Sequence, residues 1–585
     1  MRVKKSKATQ RQRMVLAFGV VLLIMTGLTA RLVYVMMIQG NHYYTGAEDV
    51  HSRQRKIKAP RGKIYDRKHR QLASNQSVST ISVIHSQLKD PETVIRELSS
   101  RLNLEETEVR KKVEKISSME KIKTNVDKKI SDEIRELTLD GVKIDEDDKR
   151  YYPYDTLASK VIGFTGADNQ GILGLEVTYD DVLRGKDGYI LTYTTATGLE
   201  VETRGKDRQE PQAGQNLYTS LDVTIQKYAA QAAKKVMKEK KASRVSVVVM
   251  NPQNGEIYAM VNAPEYSLQH PFDPVGISRA KWKKMSAQQK QEYRNKMWRN
   301  FCVSDTYEPG STFKIITACA ALEAGVVTEQ DPFYCPGFKI VEDRRIRCHK
   351  TKGHGSETFA QGFANSCNPV FMEVGARVGV SRFFEYLRQF ELLNHTGIDV
   401  PGEAGTIMHE QKRVGNVELA TMSFGQSFQL SPVRLMSTVS SLINGGISVT
   451  PHFGVAVESW DGSRVTKIRY PEGKRVVSEK TSKTIRGLLG KVVEEGSGSK
   501  AAVEGYQVGA KTGTSEKLPR RNGKYIASTL AFAPVDDPKV AVLVLIDEPK
   551  GMYYGGVIAA PVASDILDDI LPYLGIARQK AKAAG

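Results

Sequence analysis

The chain has 585 residues, of which 40% are hydrophobic and 26% are charged, with 48 Gly and 22 Pro. A chain of this length exceeds what a single hydrophobic core supports, so several domains are expected. The composition is that of a globular protein, and it excludes a disordered chain, a collagen-like fibre and a polytopic membrane protein.

The net charge is +19, from 85 Lys and Arg against 66 Asp and Glu. Six cations and no acidic residue lie in residues 1–13, and three cations lie in the last eight residues, which leaves about +10 for the rest of the chain. These runs are terminal, and no basic stripe with interleaved aromatic residues is recognised between them. Nucleic acid is therefore not expected as a partner.

In chain order, the first predicted element is an apolar membrane-spanning helix at residues 14–38. Residues 14–30 carry no charge, and the apolar run resumes after Arg31, so the segment is long enough to cross a bilayer. A cleaved signal peptide is the alternative, but the run is long for one and no small-x-small site closes it. The cations of residues 1–13 predict a cytoplasmic tail. The rest of a single-pass membrane protein then lies outside the cell.

Two regions that differ in composition and sequence pattern follow the predicted anchor. Residues 39–208 mix short extended pieces with charged helical stretches, for example between Pro91 and Leu139. Residues 209–219 are predicted as a linker because they begin with a polar run that contains Pro and Gly. Residues 220–577 are predicted as a second folded domain, and residues 578–585 as a basic tail.

The second predicted domain begins and ends with β-rich segments. The predicted strands are Val245–Met250, Ile257–Val261, Tyr506–Ala510, Thr529–Phe532 and Val540–Ile546, with helices at Ile225–Lys241 and Val557–Leu574. Strands at both ends with helices between them predict an α+β fold in which the terminal segments share one antiparallel sheet flanked by helices.

A serine and a lysine about one helical turn apart are the first residues of catalytic character. Ser311 begins an apolar predicted helix, so Lys314 lies beside it. Apolar surroundings disfavour the charged lysine and allow it to act as a base, while free N–H groups at the helix start can stabilise an oxyanion. Ser497-Gly-Ser-Lys500 has the same spacing without a following helix, and it is interpreted as a chance match.

Two further motifs follow in order. Ser366-Cys-Asn368 ends a helical stretch closed by Pro369 and offers a hydroxyl for proton relay and an amide for substrate binding. Lys511-Thr512-Gly513-Thr514 follows the predicted strand that ends at Ala510, with Gly513 allowing close approach to a ligand. Each motif alone is more simply a surface serine or a turn. Together they match the Ser-x-x-Lys, Ser-x-Asn and Lys-Thr-Gly set of penicillin-recognising acyl-serine enzymes.

Over nearly its whole length the chain resembles the class B penicillin-binding proteins, in particular the division and sporulation transpeptidases of the FtsI and SpoVD type. Outside the three motifs, the similarity is carried by Arg61–Arg67, Arg150–Pro153, Gly171–Glu176, Leu183–Gly185, Ser220–Gln226 and Phe424–Pro432. The first segment usually continues with Asn-Gly, whereas Lys68-His69 follows here, and the PASTA modules of several such proteins are not found. The resemblance implies an elongated pedestal domain at 39–208 and a transpeptidase domain at 220–577, the latter similar in fold to serine β-lactamases.

The resemblance also implies a peptidoglycan D,D-transpeptidase. Ser311 would attack the bond between the terminal D-alanines of a stem peptide, with Lys314 or Lys511 as base and Ser366 returning the proton. Asn368 would orient the acyl side chain. The Lys-Thr-Gly motif, with Lys511, Thr512, Gly513 and Thr514, would bind the substrate carboxylate, and the backbone N–H groups of Ser311 and Thr514 would form the oxyanion hole.

The partners implied by the resemblance are stem peptides, β-lactams, the membrane, a polytopic SEDS-type glycan polymerase, and division or sporulation proteins. No cofactor is required for the catalysis. Two alternatives remain open: a D,D-carboxypeptidase or β-lactam-hydrolysing relative, in which water takes the acyl group, and a division or sporulation scaffold with secondary catalysis.

Five cysteines are an odd number for an exported domain. Cys319 lies in the apolar helix and is most simply a core residue. One hypothesis is a zinc site from Cys348, His354 and Cys367, completed by Asp305 or Cys335. A disulfide between Cys335 and Cys348 and unpaired thiols are the alternatives.

Overall fold

The structure, a computed structural model, describes residues 2–40, 52–193 and 208–578. The chain divides into two compact units, one of residues 1–59, 78–147 and 186–212 and the other of residues 60–77, 148–185 and 213–585. Residues 39–208, predicted as one domain, thus contribute to both units. Apart from Arg578, the predicted basic tail lies outside the described residues.

The first unit begins with the helix Arg2–Met37. Its part from Lys7 to Met37 contains an apolar window with a mean hydropathy of 2.1, none of which is buried. By length and composition this helix is able to cross a membrane. The apolar helix predicted at residues 14–38 is therefore present.

The rest of the first unit packs helices against short strands. Its strands are Ser52–Ile57, Glu120–Asp127, Gly188–Tyr193 and Arg208–Gln209, its helices are Pro91–Leu102, Glu106–Val113 and Lys128–Glu136, and the strands Gln71–Val83 and Val142–Tyr151 lie partly in it. Their apolar side chains form one core, which includes Ile81, Ile95, Leu98 and Ile134. The charged faces of the helices are exposed, as their Lys and Glu pairs predict.

The second unit is built on a five-stranded antiparallel sheet. Its strands are β1 (Arg244–Met250), β2 (Ile257–Ala263), β3 (Gly509–Glu516), β4 (Tyr525–Ala533) and β5 (Val540–Asp547), in the spatial order β2-β1-β5-β4-β3. The predicted sheet shared by the terminal segments is confirmed.

Both faces of this sheet are covered, which explains why its strands are almost continuously apolar. In β5, Val542 and Val544 face the layer formed by the helices Val223–Lys240 and Ala560–Tyr573. Alternate residues such as Leu543 face the larger core on the other side, which contains the helix after Ser311. The period of two along a strand divides the residues between the two layers.

The remaining elements of the second unit surround the sheet. They are the helices Ser159–Ile162, Gly174–Thr178, Asp180–Leu183, Arg279–Lys284, Ala287–Trp298, Phe301–Ser304, Lys314–Glu323, Phe359–Ala364, Asn368–Val378, Val380–Gln389, Asn416–Met422, Pro432–Ile443, Glu479–Glu494 and Gly555–Ile558, and the strands Ile64–Tyr65, Asn216–Thr219, Pro332–Cys335, Phe338–Val341, Arg344–Arg347, Gly355–Thr358, Gly454–Glu458 and Val465–Lys467. Asn216–Thr219 lies within the predicted linker 209–219, yet it pairs with Ile64–Tyr65 and Gly454–Glu458.

A tight turn follows Arg61–Arg67, the first segment that carries the family resemblance, although the usual Asn-Gly is missing. His69 adopts a left-handed conformation with φ of 63°, which costs a non-glycine residue free energy. The turn is closed by Asp66, whose Oδ1 accepts hydrogen bonds from the N–H groups of Lys68 at 2.8 Å and Arg70 at 2.7 Å. The aspartate thus holds the turn without the glycine.

Candidate active site

Ser311 lies in a short 3-10 turn, Gly310–Phe313, and the α-helix itself begins at Lys314. Gly310 has φ of 55°, and a Cβ there would lie 2.8 Å from Oγ of Ser515 on β3. Only glycine fits this close approach. The sequence Pro-Gly-Ser thus places the half-buried Ser311 against the strand that carries the Lys-Thr-Gly motif.

The structure brings Ser366 between two lysines. Lys314 Nζ donates hydrogen bonds to the carbonyl oxygen of Ser366 at 2.7 Å and to Oδ1 of Asn368 at 2.8 Å, and it lies 3.4 Å from Ser366 Oγ. Lys511 Nζ donates to the same Oγ at 2.8 Å. Ser366 has φ of 55°, a strained conformation of the kind that active sites retain. Three motifs far apart in sequence therefore meet at one hydroxyl.

Both lysines are fully buried, and burial disfavours their charged forms. Burial lowers the pKa of Lys314 to about 8. Burial and the nearby charge of Lys314 lower the pKa of Lys511 well below its ordinary value. A neutral amine is thus accessible near neutral pH, as a general base requires.

The Lys-Thr-Gly motif lies inside a strand, whereas the sequence analysis placed it after one. β3 runs from Gly509 to Glu516, and the segment predicted as strand from Tyr506 begins in a turn. A Cβ on Gly513 would lie 2.6 Å from Ser528 Oγ and 3.1 Å from the carbonyl oxygen of Pro309. This glycine therefore lets β3 approach its neighbours.

The Ser-x-Asn motif also differs from the prediction in its local structure. The helix before it ends at Ala364, and Pro369 lies in the first turn of the next helix, Asn368–Val378, rather than closing the previous one. Proline suits a first turn because the missing N–H would have no partner there. The motif is thus a short link between two helices.

A cavity of about 610 Å³ opens at Ser311. The predicted residues that line it are Ser311, Ser366, Asn368, Thr512, Gly513 and Thr514. Lys314 and Lys511 lie buried behind this wall. The cavity thus joins the proposed nucleophile, the relay serine and the proposed carboxylate-binding residues in one space.

Several lining residues were not predicted as site residues. Those with polar or aromatic side chains are His349, Phe424, Gln426, Ser497, Ser499, Lys500, Tyr525, Tyr553 and Tyr554. Ser497 and Lys500 belong to the second Ser-x-x-Lys, which the sequence analysis dismissed, and Ser497 Oγ lies 3.5 Å from Thr512 Oγ1. The only signal for this loop was its match to the motif. No sequence signal pointed to the tyrosines, because only the folding of β4 and of the chain after β5 brings them to the cavity.

A group of three cysteines and a histidine lies close to the Ser-x-Asn motif. We call Cys335, Cys348, His354 and Cys367 the thiol cluster, and one ligand atom from each lies within 4.8 Å of the others. The thiol of Cys367 hydrogen-bonds that of Cys348 and lowers the pKa of Cys348. All five cysteines are free, so the predicted alternative of a disulfide between Cys335 and Cys348 is not formed.

Of the two residues considered as a fourth ligand, Cys335 belongs to the cluster and Asp305 does not. Asp305 Oδ1 instead accepts a hydrogen bond from Arg299 Nε at 2.9 Å. Cys367 is the middle residue of Ser-x-Asn. The cluster therefore bears directly on the backbone that carries Ser366 and Asn368.

Comparison with known proteins places the chain in a family. The penicillin-binding protein transpeptidase domain matches residues 245–568, and the penicillin-binding protein dimerisation domain matches residues 56–219. The chain belongs to the class B penicillin-binding proteins, which combine these two domains, and it is a D,D-transpeptidase of that class.

Individual relatives match along almost the whole chain. Stage V sporulation protein D of Bacillus subtilis is 39% identical over 594 residues, which cover 99% of this chain and 88% of the relative. Peptidoglycan D,D-transpeptidase FtsI of Escherichia coli is 27% identical, covering 96% of this chain and 92% of the relative. Among solved structures, penicillin binding protein 2X from Streptococcus thermophilus matches with a TM-score of 0.73 at 21% identity, over 90% of this chain and 83% of that one.

Proposed function

We propose that Ser311 is the nucleophile with which this transpeptidase cross-links peptidoglycan stem peptides. Its hydroxyl attacks the carbonyl between the terminal D-alanines, and Lys314 takes the proton. Ser366 passes a proton to the departing amine, and an amine of a second strand then takes the acyl group. The observation that carries this assignment is the position of Ser366 Oγ between Lys314 and Lys511 at the cavity that Ser311 lines.

The remaining roles follow from the wall of the cavity. The N–H groups of Ser311 and Thr514 stabilise the oxyanion, since both residues line the cavity. Thr512, Gly513 and Thr514, with Lys511 behind them, bind the terminal carboxylate, and Asn368 orients the acyl side chain. A β-lactam presents the same carbonyl and carboxylate, so it acylates the same serine.

Labelling with a fluorescent penicillin tests the nucleophile. The full chain in detergent is expected to give one labelled band, and Ser311→Ala is expected to give none, because the alanine variant has no hydroxyl to acylate. Ser463→Ala, an exposed serine away from the cavity, is the matched control and keeps the label. Labelling of a folded Ser311→Ala protein would remove Ser311 as the nucleophile.

The fate of the acyl group separates a transpeptidase from a hydrolase. A stem-peptide thioester supplied together with a D-amino acid is expected to give mainly the exchanged peptide, with hydrolysis as the minor product. Predominant hydrolysis at saturating acceptor would instead assign a D,D-carboxypeptidase.

We further propose that the anchor helix holds residues 1–13 in the cytoplasm and the second unit outside. The six cations before its apolar part support this orientation. The partner is a polytopic glycan polymerase, contacted through the anchor and the first unit. The name of the 39% identical relative, a sporulation protein, supports a role in sporulation rather than in vegetative division, and the stage at which depletion stops growth or sporulation decides between them.

The thiol cluster, we propose, holds a structural Zn²⁺. Three thiolates and one imidazole are a donor set typical of closed structural zinc sites, and their ligand atoms lie within 4.8 Å of one another. Such an ion would fix Cys367 and with it the link that carries Ser366 and Asn368. It takes no part in the acyl transfer.

Elemental analysis of the purified full chain tests the zinc proposal. About one zinc per chain is expected, because four protein ligands leave no open position for easy loss. His354→Ala is expected to lower the zinc content and the thermal unfolding midpoint, whereas the exposed His395→Ala is expected to change neither. A chain purified without chelators that holds less than about a tenth of an equivalent contradicts the proposal.

A further inference from the structure

One strongly basic segment was not recognised from the sequence, where about +10 of the excess charge was left for the chain between the termini without a specific location. Residues 279–299 contain eight Lys and Arg and one Glu, a net charge of +7. They form two helices, Arg279–Lys284 and Ala287–Trp298, which we call the basic helix pair. With the two termini, this segment accounts for 16 of the 19 excess charges.

Most charges of the basic helix pair face solvent, and all but one of its exposed cations have no ion-pair partner among the described residues. The exposed cations are Arg279, Lys281, Lys283, Lys284, Lys296 and Arg299. Within the part of the chain that the structure describes, only Arg299 is in an ion pair, with Asp305. Like charges this close repel one another and destabilise the helices. Folding therefore does not explain why they are concentrated here.

Aromatic rings lie between the cations and hold two of them. Arg294 lies 5.3 Å from the ring of Trp282 and 5.4 Å from that of Phe272, and Lys290 lies 5.8 Å from Trp282. Trp282 also packs edge-on against Tyr293 at 5.8 Å. This is the basic segment with interleaved aromatic residues that was not recognised in the sequence.

Caps at both helix starts fix the geometry of the pair. The Ser278 side chain accepts a hydrogen bond from the N–H of Lys281, and Ser286 and Gln289 form a capping box. Such caps stabilise short helices because they satisfy backbone N–H groups that have no partner within the helix. The positive surface is therefore preorganised, which reduces the entropy lost when a ligand binds.

The surface suits a soluble polyanion better than a lipid bilayer. Within 279–299 the large apolar side chains, Trp282, Met285, Met297 and Trp298, are all half-buried. The nearest exposed large apolar side chain in the sequence is that of Phe272, which is 52% exposed. A helix that lies in a membrane interface needs an exposed apolar face to insert, and this pair offers none. Apart from two alanines, the side chains that the pair exposes to solvent are charged or polar.

We propose that the basic helix pair binds a phosphodiester-linked polyanion of the cell envelope, of the polyglycerol-phosphate type. The surface belongs to the same unit as the active site. In the sequence, the segment 279–299 ends about a dozen residues before Ser311. Binding there would hold the transpeptidase against the wall whose peptides it joins. The proposal rests on the extracytoplasmic orientation of this unit proposed above.

The test compares two variants that lose the same charge. One replaces Lys281, Lys283, Lys284 and Lys296 by Gln; the control replaces Lys467, Lys474, Lys480 and Lys483, which are exposed elsewhere in the unit. The full chain in uncharged lipid nanodiscs is titrated with synthetic polyglycerol phosphate, followed by tryptophan fluorescence, since two of the three Trp lie in the pair.

Wild type is expected to bind with an affinity that falls about tenfold or more between low and physiological salt, because phosphate contacts release counterions. The helix-pair variant is expected to bind at least tenfold more weakly and the control less than twofold. Equal weakening in both variants would show general attraction and overturn the proposal. Binding to anionic phosphatidylglycerol vesicles without binding to polyglycerol phosphate would also overturn the proposal. Penicillin labelling of both variants stays at the wild-type level, so a failure here leaves the active-site proposal intact.

Discussion

At the scale of single residues, the protonation state of Lys314 sets when Ser311 can react. Burial lowers the pKa of this lysine to about 8, so the cation predominates below that pH and the neutral amine above it. Only the neutral amine can accept the proton of Ser311. The second-order rate constant of penicillin acylation is therefore expected to rise roughly tenfold from pH 7 to a plateau above pH 9.

Stopped-flow or gel-based acylation rates between pH 6 and 9.5 measure this profile, with spontaneous β-lactam hydrolysis subtracted at each pH. The thermal unfolding midpoint over the same range is the control for folding. A rate that is flat from pH 6 to 9 in a folded protein would contradict the role of Lys314 as the base.

The sequence predicted the residues of the site better than their surroundings. Ser311 and Lys314 were identified from their spacing on one helix, since spacing along a helix is a local property. The strained φ of Ser366 and its place between two lysines were not, because they depend on β3 and on a helix link that meet only in the folded chain. The aromatic lining of the cavity was missed for the same reason.

At the scale of elements, an unusual backbone conformation marks the point where the predicted helical stretch between Pro91 and Leu139 is interrupted. Within it, residues 120–127 form the strand Glu120–Asp127, on which Ile122 and Val126 are buried four residues apart. Asn125 has φ of 55°, and the pairing register with the neighbouring strand shifts along this stretch. Such irregularities disturb the period of two on which strand prediction depends.

The loop after β3 forms an ion pair with Glu308, which lies three residues before Ser311. Arg520 donates hydrogen bonds to both carboxylate oxygens of the buried Glu308, at 2.8 and 2.6 Å. Glu308 also accepts a bond from the N–H of Ser427 at 3.0 Å, and its carbonyl accepts one from Ser515 Oγ at 2.6 Å. Through its carboxylate and its backbone carbonyl, Glu308 thus connects the nucleophile turn to β3, to the loop after β3 and to the chain that follows Gln426.

Arg520→Ala is expected to slow penicillin acylation about tenfold, because it leaves a buried carboxylate unpaired beside the nucleophile turn and costs about 1–3 kcal/mol. Arg521→Ala, the exposed neighbour, is expected to change the rate less than twofold. In Glu308→Gln the charge itself is gone, so adding Arg520→Ala to that variant has little further effect. Fully additive losses in the double variant would show that the two side chains act independently.

At the scale of the whole molecule, the segments that carried the family resemblance converge in the second unit. Arg61 Nε and Arg150 Nε donate hydrogen bonds to the two carboxylate oxygens of Glu176, each at 2.7 Å. Arg61 also pairs with Asp180 at 2.6 Å, and Arg150 bonds to the carbonyl of Gly62 at 2.8 Å. The sequence shows these charges as separate motifs. Only the folded chain shows that they form one buried network.

Glu176→Gln is expected to destabilise the protein strongly, because two buried guanidinium groups would lose the carboxylate that neutralises them. Breaking a buried pair in this way costs about 3–5 kcal/mol, and the side chains of Arg61 and Glu176 are fully buried. The matched control is Glu92→Gln, which removes an exposed partner of Arg110 and is expected to cost less than about 1 kcal/mol.

Thermal unfolding of the full chain measures both variants, with circular dichroism following the whole chain and penicillin labelling reporting on the second unit. Labelling competence is expected to be lost at a temperature at least roughly 5 °C lower in Glu176→Gln than in wild type. The Glu92→Gln control is expected to stay within about 2 °C. If both variants lose labelling at the wild-type temperature, the network contributes geometry but no stability, and the family segments must be retained for another reason.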